Sequence, residues 1–159
     1  MLSQSLRPKG YAMTQLGHVV LYVKDLARSL KFYTEIVGLD LRGTVFNDRA
    51  AILSGGDTHH ELMLIQVGPA PGPLQGKRLG LYHIGWKIGN DIAALKEIHA
   101  RITALDYPII GLSDHSISQS LYLPDPDGNE IELYVDNPDY DWRNNRDWMD
   151  TPVKPLTLE

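Results

Sequence analysis

Two stretches of this 159-residue chain are copies of one another. "LGHVVLYVKDLARSLKFY" runs from Leu16 and "LYHIGWKIGNDIAALKEI" runs from Leu81. His18 and His83 lie 65 positions apart, as do Leu30 and Leu95, and Lys31 and Lys96. One offset that holds through a strand pattern and then a helix pattern marks the duplication of a whole supersecondary unit. Such a unit cannot bury its apolar face alone and packs on its twin. The chain is therefore constrained to fold as a tandem pair.

Each copy is legible by itself. An alternating apolar run follows the His, with the period of a half-buried strand. Asp25 then supplies an N-cap, Leu26, Leu30, Tyr33 and Val37 supply a helical stripe, and Gly38 supplies the stop. In the second copy Asn90 or Asp91 caps the helix. Ile92, Leu95, Ile98, Ile102 and Leu105 form its stripe, and Pro108 lies beyond its end. Three short strands follow each helix. They fall near "LRGTVF", "RAAIL" and "HELMLIQV" in the first copy and near "PIIGL", "SQSLYL" and "EIELYV" in the second. "DPDGN" (Asp125 to Asn129) joins the last two as a hairpin and reads as turn chemistry.

The expected fold is α+β: two tandem βαβββ modules, 16–67 and 81–136, with a Gly/Pro-rich connector at 68–80, all within one domain over 16–137. Each sheet carries its helix on one face. The other two faces curl toward each other, half open, around a cleft. Residues 1–15 read as a short arm. Residues 138–159 form a tail with Trp142 and Trp148 that wraps back as a lid, packs at a subunit contact or hangs free.

Several function classes drop out on composition. The chain has no cysteine, which removes disulfides, thiolate metal sites and a Cys nucleophile and suits a cytoplasmic protein. A net charge of −5 argues against a nucleic-acid footprint. No apolar run reaches the roughly 18 residues of a membrane span, and "MLSQSLRPKGYAMTQ" has no signal-peptide core. Exposed sheet edges point to a homo-oligomer.

The chemistry starts with a carboxylate in mid-strand. In "NEIELYV", Ile131, Leu133 and Val135 alternate with Glu130, Glu132 and Tyr134. The apolar set takes the helix side, so Glu132 turns to the cleft. The same parity sets His18 beside Val20 and Tyr22, and His83 beside Gly85, on the cleft faces. Repeat symmetry puts both histidines at equivalent places, and the three side chains are expected to meet. Two imidazoles and one carboxylate with open positions are the donor set of non-haem Fe(II) sites, and they also suit Mn(II). Aligning "ELMLIQV" with "NEIELYV" sets Leu64 opposite Glu132, so no fourth ligand is expected. By that alignment His60, not His59, looks into the cleft. His115 precedes the next-to-last strand and Tyr122 lies within it. All three are proton-handling groups.

Each of these residues has a plainer reading. A lone strand His is commonly a hydrogen-bonded core residue, Tyr122 suits any strand, and His59 and His99 read as surface. The repeat lifts His18 and His83 above that level. So does an inward carboxylate with no cation in view except Lys87, because a buried carboxylate needs a partner.

The segment "HSISQSLYLPDPDGNEIE" carries a resemblance. A His, a short spacer, an apolar residue and Tyr lead to an acidic residue, Pro, Gly and a final Glu. These are His115, Leu121, Tyr122, Asp125, Pro126, Gly128 and Glu132, with Ser113 the one departure. Over residues 14 to 137 the chain resembles extradiol ring-cleaving dioxygenases of the vicinal oxygen chelate superfamily in their short, single-domain form. The resemblance implies that His18, His83 and Glu132 hold Fe(II), and that a catechol and O2 are the small-molecule partners. The ring opens beside one hydroxyl to give a semialdehyde. In that scheme His60 stabilises bound oxygen and shuttles a proton, Tyr122 helps deprotonate the substrate, and His115 bonds a substrate oxygen. The alternatives are a glyoxalase-like lyase or isomerase, disfavoured by Leu64 where a fourth ligand would stand, and a metal-free drug-binding protein of the bleomycin-resistance kind, which has no need of the three ligands together.

Overall fold

Capping and alternation set the elements largely where the repeat places them. The computed structural model describes residues 14–73, 76–77 and 79–158. All but the last two residues of the expected arm lie outside this set. β1 (Val19–Val23) leads to Asp25, whose extended backbone and side chain cap α1 (Leu26–Phe32) by accepting from the Arg28 N–H at 2.8 Å. The helix runs on as a π-helical turn (Tyr33–Val37) and stops at Gly38, whose φ of 90° is left-handed and suits glycine. β2 (Asp40–Val45), β3 (Ala50–Ser54) and β4 (Leu62–Gln66) complete the first module.

In the second module β5 (His83–Gly89) is followed by α2 (Ile92–Ala104), β6 (Gly111–Asp114), β7 (Ser118–Pro124) and β8 (Glu130–Asp136). Asp91, not Asn90, is the cap, accepting from the N–H groups of Ala93 and Ala94. Leu95, Ile98 and Ile102 of the expected stripe are buried, whereas Ile92 and Leu105, at the two ends of α2, are exposed. β6 begins at Gly111, later than "PIIGL" suggests.

The sheets run β1-β4-β3-β2 and β5-β8-β7-β6-β9, with β1 parallel to β4 and β5 parallel to β8. β9 (Lys154–Pro155) is the tail, which returns to pair with β6 and sets Leu156 and Leu158 against the core. Among the described residues no helix is long and apolar enough to cross a membrane.

One core runs through both modules, from Leu21, Phe32, Tyr33 and Leu64 to Ile84, Leu95 and Leu133. A polar latch joins them as well. The buried Tyr33 hydroxyl donates to Asp125 Oδ2 at 2.9 Å. Asp125 also accepts from the backbone of Asp127 and Asn129 and from Asn129 Nδ2. The Lys24 N–H donates to Asp127 at 3.0 Å, and Arg28 forms an ion pair with the same carboxylate. Burial, and then the Asp125 charge, push the Tyr33 hydroxyl pKa far up, so it stays a donor. "DPDGN" is thus a turn and also a clasp between modules.

Strand register corrects one expectation. Val20 pairs with Met63 and Leu21 with Leu64, while Gly85 pairs with Glu132 and Trp86 with Leu133. Carried through the repeat, the counterpart of Glu132 is Met63. Leu64 is fully buried and matches Leu133. The alignment on Leu64 was one residue out, and a one-residue slip turns every side chain to the other face. The position still offers neither a carboxylate nor an imidazole.

Candidate metal centre

Glu132 stands in the middle of β8 on the face away from α2, half-buried. Its two oxygens have different neighbours. Oε1 accepts from Ser120 Oγ at 2.6 Å and from the Tyr122 hydroxyl at 2.9 Å. Oε2 lies 3.2 Å from His83 Nε2. Gly85 pairs with Glu132 across the parallel ladder, and a Cβ there would stand 3.2 Å from Oε2. Glycine keeps that side of the carboxylate open.

Tyr122 extends the network, since its hydroxyl is also 2.9 Å from His115 Nε2. A phenol has one proton. With that proton given to Glu132, the oxygen is left to accept from His115. Burial first, and then the Glu132 charge, push the Tyr122 pKa up to about 12, so the phenol is neutral at pH 7. His83 Nδ1 is buried and makes no hydrogen bond; the carboxylate of Glu130 lies 3.5 Å from it.

The first module contributes a second group. His18 sits just before β1 with its ring 4.6 Å from that of His60, which in turn contacts His59. Partial desolvation, followed by the neighbouring His59 and His18, holds the His60 pKa below its ordinary value. The route to this position is not the expected one. Leu64, which the expected alignment puts on the face of His60, points into the core, and so does Leu62. His60 reaches His18 because it lies in the bend before β4. There Thr58 Oγ1 accepts from the His60 N–H and donates to the His60 carbonyl.

The structure therefore gathers His83, Glu132, Tyr122 and His115 into one network, and His18 with His60 into another. Among the described residues no three His, Asp or Glu side chains stand arranged around an ion. The residues nonetheless fit a divalent cation. Two donors at right angles, each about 2.1 Å from an ion, lie about 3 Å apart. His83 Nε2 and Glu132 Oε2 have that separation, and they are nitrogen and oxygen donors of the right kind. Ser120 was not singled out in the sequence, and Gly85 and Glu130 were placed there only by strand parity. The available signal was the parity of β7, which puts Ser120 on the face of Tyr122.

Known proteins carry the same arrangement of elements. The chain is 34% identical over 137 residues to the catechol-2,3-dioxygenase of Bacillus subtilis (strain 168), covering 84% of this chain and 46% of that protein. It is 27% identical over 129 residues to biphenyl-2,3-diol 1,2-dioxygenase 3 of Rhodococcus globerulus, covering 77% of this chain and 64% of that one. The chain thus spans less than two thirds of either relative. Among solved structures, a glyoxalase/dioxygenase from Nostoc punctiforme superposes with a TM-score of 0.67 at 23% identity, over 84% of this chain and 97% of that one. The profile of the glyoxalase/bleomycin resistance protein/dioxygenase superfamily matches residues 15–133, nearly all of both modules. With its paired βαβββ modules and half-open sheets, the chain belongs to that superfamily.

Proposed function

We propose that the chain is a metal-dependent extradiol dioxygenase that opens a catechol ring with O2 to a semialdehyde. His18, His83 and Glu132 would hold Fe(II), with Mn(II) suited to the same donors. The observation that carries this reading is the Tyr122 hydroxyl, set between the Glu132 carboxylate and the His115 imidazole. The similarity to a catechol-2,3-dioxygenase supports it.

A bound divalent ion lowers the pKa of a catechol hydroxyl and gathers the reactants at one point. The side chains then manage protons. Tyr122 is too weak an acid to work as a free phenolate. It takes the substrate's proton only when its own hydroxyl turns from Glu132 to His115 and His115 presents Nε2 without a proton; in that tautomer the pair acts as a relay. His60, held toward its neutral form beside His18, would exchange a proton on the oxygen side once His18 joins the ion. Met63 in place of a fourth ligand leaves coordination positions open for substrate, which favours this reading over a lyase or isomerase.

The test is oxygen uptake. Protein loaded with Fe(II) without air is given catechol, 3-methylcatechol or 2,3-dihydroxybiphenyl, and O2 is then admitted. Stoichiometric uptake with the yellow colour of a semialdehyde, lost in Glu132→Ala, is the expected result. Iron-loaded protein that consumes no oxygen across the panel would contradict the assignment.

A further inference from the structure

We infer that Ser120 is a positioning residue that fixes which oxygen of Glu132 is offered to the ion; this rests on the metal reading above. Oε1 accepts two hydroxyl protons, from Ser120 at 2.6 Å and Tyr122 at 2.9 Å. A carboxylate oxygen has about two lone-pair sites, so these donors fill Oε1. Oε2 is left facing His83 Nε2. The carboxylate is thereby divided into an anchored oxygen and a presented one, and is held for one-oxygen ligation.

The repeat contains its own control. Following the pairings across each sheet, Gly85, Glu132, Tyr122 and Ser120 correspond to Val20, Met63, Ile52 and Ala50. Where the first module has no carboxylate, it has no hydroxyl at either supporting position and no glycine beside it. All four positions differ together. Ser120 is fully buried, and a buried hydroxyl is costly unless it is bonded. Its bond goes to Glu132. Ala50, also fully buried, shows that this fold needs no hydroxyl at that place for packing.

Mn(II) binding tests the inference, followed by loss of the free-ion electron paramagnetic resonance signal in wild type, Ser120→Ala, Ser120→Thr and Glu132→Gln. Ser120→Ala is expected to bind Mn(II) about 10- to 100-fold more weakly, the usual effect of losing an outer partner of a metal ligand. Ser120→Thr, which keeps the hydroxyl, is expected to recover most of that loss, and Glu132→Gln to bind weakest. The metal-free Ser120→Ala protein is expected to show a modestly lower urea midpoint, as for any lost hydrogen bond to a carboxylate, and the Mn(II) affinity loss is expected to exceed what that shift accounts for. Ser120→Ala that binds Mn(II) as tightly as wild type overturns the inference. So does an affinity loss that only tracks a lowered midpoint of the metal-free protein, because that is a structural role. Wild-type protein that binds no Mn(II), and whose midpoint Mn(II) leaves unmoved, overturns the metal reading and this inference with it.

Discussion

A carboxylate in mid-strand is costly unless something answers its charge. Around Glu132 the answer is two hydroxyls on one oxygen and an imidazole near the other. Tyr122 is the shared member, since it also meets His115. Tyr122→Phe keeps the ring and removes the relay. It is expected to lower kcat by about 100-fold or more, the scale of a lost proton-transfer group. KM for the catechol is expected to stay near wild type, while Mn(II) affinity is expected to fall as in Ser120→Ala, because Glu132 Oε1 loses one of its two donors. Steady-state oxygen uptake and a metal titration check this. A large rise in KM with kcat kept would make Tyr122 a binding residue instead. At this scale much was visible in the sequence, because strict alternation from Glu130 to Val135 fixes the face of Glu132 unambiguously. Ser120 was harder to see, because a serine in a strand carries no signal until its neighbour across the ladder is known.

Among the elements, the bend at 55–61 does the most for the site, since it delivers His60 to His18. Glu61 ties it down by accepting from the Gly55 N–H at 2.7 Å and the Thr58 N–H at 3.1 Å. Partial desolvation raises the Glu61 pKa, but these N–H groups and the nearby hydroxyls of Thr58 and Ser54 outweigh it, and the net pKa is lowered. A carboxylate with a lowered folded pKa adds stability above its unfolded value and loses it as pH falls through the folded one. The melting-temperature gap between wild type and Glu61→Gln is therefore expected to be full at neutral pH and to close as pH drops below the ordinary carboxylate range. A gap that does not change with pH would mean the charge does not hold the bend. Caps and helices were legible because their signals are local: Asp25, Gly38 and Asp91 act within a few residues. β4 was misjudged for a physical reason. Leu62, Met63, Leu64 and Ile65 are all apolar, so no alternation says which pair enters the core.

Across the whole molecule the repeat has divided its labour. The outward positions of the first sheet, Val20, Met63 and Ile52, are apolar, while their counterparts Gly85, Glu132 and Tyr122 hold the polar network. The two halves are joined by the common core and by Tyr33 on Asp125. Tyr33→Phe is expected to cost about 1.5–3 kcal/mol in urea unfolding, the range for a hydrogen bond to a charged group. A loss within error of zero would show that the other donors to Asp125 suffice. The tandem architecture could be read from the 65-residue offset alone. The latch could not, because Tyr33 and Asp125 are 92 positions apart and neither has a local pattern that names the other. The meeting of His18 with His83 and Glu132 is the claim that depends most on how the two modules face one another. A crystal structure of the protein soaked with Mn(II) tests it directly. The account predicts one strong ion peak bonded by His18, His83 and Glu132 Oε2, with the remaining positions filled by solvent. An ion held by His83 and Glu132 while His18 stays on His60, or no ion in this cleft, would contradict it.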